Sequence, residues 1–325
     1  MVTSSKKFSP LLKEIFRMSF FKNIKNGSFW NIGFCDYTPE ELIVKKELPS
    51  IQWMKHPYKD RFFADPFILK VTDSEIVVFV EEYVFDNPPG LIVELVIDRE
   101  SKELKQRYEL LRLSSHLSYP AIIRKGDEIF VYPENGASGK LNIYRYDAVN
   151  HKLVDPCTIH EDALYDATIY QKCDGSCIML ATKQPYLLEN AYLFSAPSYN
   201  GPFTQIGDIP FQSDRSCARM AGNFFEAYGQ LYRPAQDCVT CYGAGTAIME
   251  FDIITKKEQK LFTLRPQSYE YNLGLHTINF YEGLCVIDGY GYLYPTLGRI
   301  YASKAVEKLR NFAKRQSWKR NGFSL

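Results

Sequence analysis

Five times along the chain, an apolar run breaks at a tight turn and resumes as a second apolar run ending in a polar cluster. The instances are "DPFILKVTDSEIVVFVEEY" from Asp65, "YPAIIRKGDEIFVYPENG" from Tyr119, "DATIYQKCDGSCIMLATKQ" from Asp166, "ARMAGNFFEAYGQLYRPAQD" from Ala218 and "LHTINFYEGLCVIDGYG" from Leu275. Their apolar positions are rich in Ile, Val, Phe and Tyr, which suit a pleated surface. The turns "TDS", "KGD", "CDG", "AYG" and "YEG" carry the Gly, Asp or Ser that a hairpin reversal favours. Further strand-like runs follow the hairpins, such as "LIVELVID", "LNIYRYD", "AYLFSAP" and "AIMEFDII". A four-stranded unit repeating roughly every 50 residues marks a propeller blade. The pattern therefore predicts an all-β, five-bladed β-propeller over residues 28–301 with a small central channel. "FWNIGFCDY" reads as a strand that closes the ring onto the last blade. A β-sandwich with coincidental spacing is the competing architecture, and the shared turn positions and polar ends argue against it.

A propeller converts repeat position into location. The residue opening each unit starts an innermost strand, and the polar cluster closing the second strand lies beside it. Asp65, Tyr119, Asp166, Arg219 and His276 are expected to converge at one channel mouth, joined by Glu134, Arg233, Gln236, Asp237, Lys183 and Asp288. Arg61 precedes the first unit, and Glu81 and Glu82 close its second strand. Alternation sends these two glutamates to opposite faces, and Glu82 is carried as the candidate. Asp65, Glu134 and Asp166 are the expected catalytic carboxyls, one as base or nucleophile and one as acid. Arg61, Glu82, Tyr119, Lys183, Arg219, Arg233, Gln236, Asp237, His276 and Asp288 are the expected substrate-binding residues. So many cations beside acids suggest an anionic substrate such as a sugar phosphate or nucleotide sugar, because an arginine fork fits phosphate. The competing roles are structural: aspartates that bond to turn amides, and arginines that pair with protein carboxylates.

Aromatics make up 15% of the chain, with 23 Tyr and 22 Phe, which favours a β-rich fold and carbohydrate contact. The formal net charge is +1, yet residues 1–27 hold six Lys/Arg against one Glu, and residues 302–325 hold seven against one. The intervening body is therefore acidic, which argues against nucleic-acid binding. Both ends, "SPLLKEIFRMSFFKNI" and "SKAVEKLRNFAKRQSWKR", pattern as basic amphipathic helices. Each could pack its apolar side on the propeller, or attach reversibly to an anionic membrane surface. Charges interrupt the apolar residues of the first segment, so no signal peptide is expected, and no apolar run is long enough to span a membrane. A cytoplasmic, peripherally membrane-associated protein with reduced thiols is the resulting expectation for the eight cysteines. Cys238-x-x-Cys241 has no second pair to complete a zinc site and no βαβ context for redox work. No phosphate-loop or dinucleotide fingerprint is present. No cofactor is expected, and a divalent cation among the channel carboxylates stays open.

The motifs "FWNIGF", "FADPFIL", "VEEY", "SYPAII", "YPENG", "DATIY", "GPF", "ARMAGNFF", "LYRPAQD", "YG" and "IDGYG" occur in this order over residues 29–292. Together they resemble the propeller domain at the N-terminus of plant glucosamine inositolphosphorylceramide transferases, a kind of domain also associated with microbial surface-polysaccharide biosynthesis. The resemblance implies a five-bladed propeller of the furanosidase-like superfamily, which includes glycoside hydrolase families 43 and 32. It matches Asp65 to the inner-strand aspartate of the first blade and Asp166 to a second acid. Glu134 of "PEN" departs from the third acid position of those hydrolases. The glycosyltransferase domain that follows the propeller in the plant proteins is not among these 325 residues, so the propeller itself is expected to carry any catalysis. The leading expectation is a glycosyltransferase using a phosphate-activated donor in polysaccharide or glycolipid synthesis. A furanosidase-like glycoside hydrolase and a non-catalytic glycan-binding propeller are the alternatives.

Overall fold

The structure, a computed structural model, describes residues 28–292 and residue 296. Five sheets form the five blades. Blade 1 runs Arg61–Val71, Glu75–Val84, Leu91–Asp98 and Leu104–Leu111 from the inside outwards. Blade 2 follows with Ser118–Lys125, Glu128–Glu134, Leu141–Asp147 and Lys152–His160. Blade 3 has Tyr165–Gln171, Cys177–Thr182 and Asn190–Ala196, the last pairing with two short strands, Thr204–Gln205 and Gln212–Ser213. Phe225–Ala227, Gln230–Asp237, Gly245–Asp252 and Lys257–Leu264 make blade 4. In blade 5, Ile278–Tyr281 and Leu284–Tyr292 are completed by Ser28–Asp36 and Gln52–Trp53 from the other end of the chain. The expected closing strand is thus present, and the sandwich alternative is excluded.

Trp30–Tyr290 form one compact unit. Met1–Phe29 with Gly291–Leu325 group as a second, most of it outside the described residues. The basic helices expected at residues 1–27 and 302–325 lie there too. Among the described residues, no helix is long and apolar enough to cross a membrane. The α-helix Pro39–Lys45 is set by a capping box, in which the Thr38 side chain accepts from the Glu41 amide and Glu41 accepts from the Thr38 amide.

Blades stack face to face, so their middle strands are buried on both sides and read as near-continuous apolar runs. In Leu91–Asp98 every residue but the last is buried. Its one internal charge, Glu94, accepts hydrogen bonds from Tyr146 (2.6 Å) and lies 3.0 Å from His151 of blade 2, as a buried carboxylate requires. Phe34, Phe63, Val78 and Val286 pack between blades 5 and 1, and Tyr132, Leu180 and Phe194 pack between blades 2 and 3. Truncating a fully buried residue such as Phe63 to alanine would cost about 3–5 kcal/mol.

The inner strands share a departure from ideal geometry. Asp65, Tyr119 and Asp166 adopt left-handed φ of 52°, 46° and 46° at equivalent positions in blades 1, 2 and 3. Each coincides with a register slip against the second strand, between Ala64 and Phe67, Ser118 and Ala121, and Tyr165 and Thr168. Such bulges turn one residue out of the ladder and re-aim its side chain and amide.

Candidate functional site

The amides freed by these bulges are caught by carboxylates. Asp288 of blade 5 accepts from the Asp65 amide at 3.2 Å. Asp65 of blade 1 accepts from the Tyr119 amide at 3.1 Å, and Glu134 of blade 2 from the Asp166 amide at 3.0 Å. Each bond crosses a blade boundary, so the acids latch the ring while lining its axis. Below them, Tyr119 fills the axis. Its hydroxyl bonds to Thr168 (2.8 Å) and accepts the Gly222 amide (2.7 Å) of blade 4. Tyr119 thus links blade 2 to blades 3 and 4 beside the acids.

Two cations hold these acids together. Arg219 donates through Nε to Asp166 (2.5 Å) and through Nη2 to Glu134 (3.4 Å). Gln236 adds a second donor to Asp166 at 2.8 Å and fixes its own amide on the Met220 carbonyl. His276 lies between Asp288, 2.5 Å from Nδ1, and Asp65, 3.5 Å from Nε2, and stacks on Trp30 with ring centroids 3.9 Å apart. Burial alone would lower the His276 pKa, but the carboxylates of Asp288 and Asp65 overcome it and raise the ring to about 9. Burial raises the Asp65 carboxyl to about 6, with His276 opposing and Asp166 reinforcing the shift.

One acid at the mouth carries no cation of its own. Glu81 is pushed well above the usual carboxylate range by burial and by repulsion from Asp65, Glu134, Asp166 and Asp288. Its Oε1 lies 3.3 Å from Nε2 of the half-exposed His116. His116 Nδ1 accepts the Gly90 amide at 3.0 Å, which leaves the ring proton of the neutral histidine on Nε2, facing Glu81. A Cβ at position 90 would stand 2.6 Å from His116 Cε1 and 2.9 Å from Glu81 Oε1, so only glycine allows this arrangement. Glu134 is likewise raised by burial and by Asp166, against the opposing Arg219. The mouth thus combines carboxyls held toward the protonated form, Glu81 and Glu134, with one, Asp166, that accepts hydrogen bonds from both Arg219 and Gln236. That is the pairing general acid–base catalysis needs.

Asp65, His276 and Asp288 bring ligand-type atoms within 4.8 Å of one another, the arrangement a cation would need. Their chemistry fits an ion-pair triad instead. Both ring nitrogens face carboxylates, which stabilises the imidazolium, and a protonated ring cannot ligate. Asp288 already accepts from the amides of Asp65, His276 and Thr277, and Asp65 accepts from Tyr119 and Thr277.

Asp65, Glu134, Asp166, Arg219, Gln236, His276 and Asp288 are brought together, but five expected substrate ligands are not with them. Glu82 points into blade 1, paired with Arg61 (2.9 Å) and Arg107; the adjacent Glu81 takes the mouth, as alternation demands. Arg61 is engaged by Glu82 and Asp60. Arg233, three residues from Gln236 and so on the opposite strand face, is fully buried against Glu258 of the outermost strand (2.7 Å). Asp237 faces away from the cluster and pairs with Arg265 at 2.5 Å. Lys183 follows the last residue of its strand and bonds to Gln205 while lying over the Tyr192 ring. Tyr119 lies beside the acids, but its hydroxyl is engaged by Thr168 and the Gly222 amide.

Sequence reasoning missed His116, Trp30 and Tyr242. His116 lies in the link between blades, three residues before Tyr119, where no repeat position flags it. Trp30 sits in the motif read only as a closing strand. Tyr242, 44% exposed, stands over the mouth, its ring 5.5 Å from the Arg219 guanidinium and edge-on to His276; the only signal was the "YG" after the cysteine pair. Cys238 is buried and Cys241 exposed, so the pair forms no common site.

The family described as "Glucosamine inositolphosphorylceramide transferase 1, N-terminal" matches residues 49–279. Among curated proteins, the chain is similar to glucosamine inositolphosphorylceramide transferase 1 of Oryza sativa subsp. japonica, with 28% identity over 213 residues. It is also 29% identical over 222 residues to the Arabidopsis thaliana protein of the same name. These matches take in 62% and 61% of this chain but 28% and 26% of the plant proteins, so the chain spans under a third of the relatives it matches. Among solved structures, Zg3597, a family 117 glycoside hydrolase from Zobellia galactanivorans, superposes with a TM-score of 0.52 at 8% identity, covering 81% of this chain and 90% of that one. The exo-β-1,3-galactanase of Phanerochaete chrysosporium gives 0.51 at 13% identity, covering 65% and 53%. At these identities the likeness is one of fold.

Proposed function

We propose, from the premise that this chain belongs to the family of the N-terminal domain of glucosamine inositolphosphorylceramide transferase 1, that it is a carbohydrate-active propeller acting on a glycosidic bond by proton transfer between mouth carboxyls. One observation carries this reading: Glu81 and Glu134, both pushed toward the protonated form, are buried beside Asp166, which accepts from Arg219 and Gln236. In this reading Glu81 donates a proton to the leaving oxygen, with its other oxygen accepting from His116. Asp166, fixed by Arg219 and Gln236, accepts a proton from the incoming hydroxyl or water. Asp65 and Glu134 set the charge around both.

The engagement of the cations favours a neutral saccharide over a phosphate-bearing donor. Arg219, Arg233 and His276 already neutralise protein carboxylates. Transfer from a phosphate-activated donor is the second reading, favoured by the transferase name of the plant relatives. The test is a thermal-shift and product screen of neutral oligosaccharides, sugar phosphates and nucleotide sugars against the wild type and Asp166→Asn. Stabilisation by neutral saccharides, with turnover lost in the variant, is expected. A response confined to phosphate-bearing sugars would turn the choice to transfer, and unchanged turnover in Asp166→Asn would move the chemistry elsewhere.

A further inference from the structure

A second concavity lies apart from the acid mouth and has no role in the chemistry above. It is a pocket of about 520 Å³ bounded by residues 47–51, Trp53, the segment 265–271 and the blade 5 strand around Gly289. That volume falls within the range of small-molecule sites, roughly 300–1,000 Å³. Its aromatic wall is held rigidly. The Trp53 indole donates to Ser268 Oγ at 3.2 Å and lies 4.2 Å from the Tyr271 ring. Tyr271 in turn accepts from Asn31 at 2.9 Å. A Cβ at position 289 would meet Trp53 Cη2 at 2.3 Å and Tyr271 Cβ at 2.8 Å, so glycine there lets the indole lie against the strand.

The polar lining fixes the class of ligand. Glu47 and Glu270 contribute carboxyls, and Arg265, the one cation among the described lining residues, is already paired with Asp237. Such a lining does not attract phosphate. Planar amide and carboxyl groups beside a fixed aromatic face suit a pyranose ring, whose C–H face packs on the ring while its hydroxyls take the hydrogen bonds. Gln267, Tyr269 and Glu270 stand exposed on the rim, placed to do this.

We infer that this pocket is a binding site for a neutral saccharide, separate from the acid mouth. Asp288 belongs to both, contributing to the pocket lining and to the triad with His276 and Asp65. A sugar held in the pocket therefore lies against a strand that also carries Asp288 of the acid cluster. The inference stands on the pocket's own lining and does not require the mouth to be catalytic.

The test uses the full chain carrying 5-fluorotryptophan, with the Trp53 resonance assigned through Trp53→Phe. Neutral gluco-, galacto-, manno- and xylo-trisaccharides are titrated into wild type and Asp166→Asn, with a nucleotide sugar and a sugar phosphate as comparison probes. A saturable shift of the Trp53 signal with at least one neutral trisaccharide is expected, equal in wild type and Asp166→Asn. Tyr269→Ala and Gln267→Ala, both on the exposed rim, should each weaken it by about tenfold. A Trp53 signal that no neutral sugar moves, or that only the phosphate-bearing probes move, overturns the inference. So does binding that both rim variants leave unchanged. Turnover in wild type is scored separately, so a silent mouth with a responsive Trp53 would refute only the catalytic reading.

Discussion

His276 offers a quantitative test of how the mouth is held together. Its pKa rises from 6.5 to about 9, which at 1.36 kcal/mol per pH unit corresponds to about 3 kcal/mol of folding stability. A histidine raised in the folded state contributes that stability in full below pH 6.5. The contribution is lost as pH climbs through about 9. His276→Gln removes the titrating ring and leaves Asp288 and Asp65 facing each other unpaired. The variant should therefore be less stable by about 3 kcal/mol at pH 6, beyond a pH-independent loss from the Trp30 stack. That pH-dependent part should vanish by pH 9.5. For a domain of this size, the pH 6 loss corresponds to a Tm lowered by roughly 6–12 °C. Urea melts of both proteins at pH 6, 7.5 and 9.5 measure the difference. Asp65, at about 6, titrates at the lower edge of this window and loses the opposing His276 in the variant, so the fall of the difference between pH 7.5 and 9.5 is the decisive comparison. A difference that stays constant from pH 6 to 9.5 would refute the imidazolium between two carboxylates.

Other outcomes follow from the same geometry. Glu81→Gln replaces a carboxyl held toward its neutral form by an uncharged isostere, so stability should change by less than about 1 kcal/mol, while the alkaline fall of the turnover profile disappears. Glu82→Gln should do the reverse, destabilising blade 1 by leaving Arg61 and Arg107 without their carboxylate, with the shape of that profile kept; denaturant melts and pH–rate curves separate the two. Gly90→Ala drives a methyl into His116 and Glu81 and should cost about 1–3 kcal/mol, with a changed His116 tautomer visible in nitrogen-15 spectra. Arg219→Ala strands two buried carboxyls and should lose about 3–5 kcal/mol in the same melts, whereas Cys238→Ser with Cys241→Ser should leave turnover intact.

The propeller was legible because its signals are local. Turn residues and alternating apolar runs sit within a few positions of each other, and their recurrence located every inner strand. The residues that meet on the axis could be named for the same reason: Asp65 and Asp166 lie within inner strands, His276 two residues before one, and Glu134 closes a second strand. Facing was harder to read. Glu81 and Glu82 are equivalent in a string of letters, and only the slip between Ala64 and Phe67 accompanies the choice of which meets the mouth. Arg233 looked available because its partner, Glu258, lies on the outermost strand of the blade, where pairing depends on register. His116 acts from a linker, and no periodicity marks a linker residue.

The ring closure also sets when the site can exist. Residues 28–36 complete a blade whose other strands, Ile278–Tyr281 and Leu284–Tyr292, leave the ribosome more than two hundred residues after them. Asp65 waits as long for Asp288 and His276. A nascent chain therefore holds Asp65 without its partners after Glu134 and Asp166 already have Arg219 and Gln236, and the cluster is complete only when blade 5 closes. The order of its strands thus makes the His276 triad the last part of the acid cluster to be assembled.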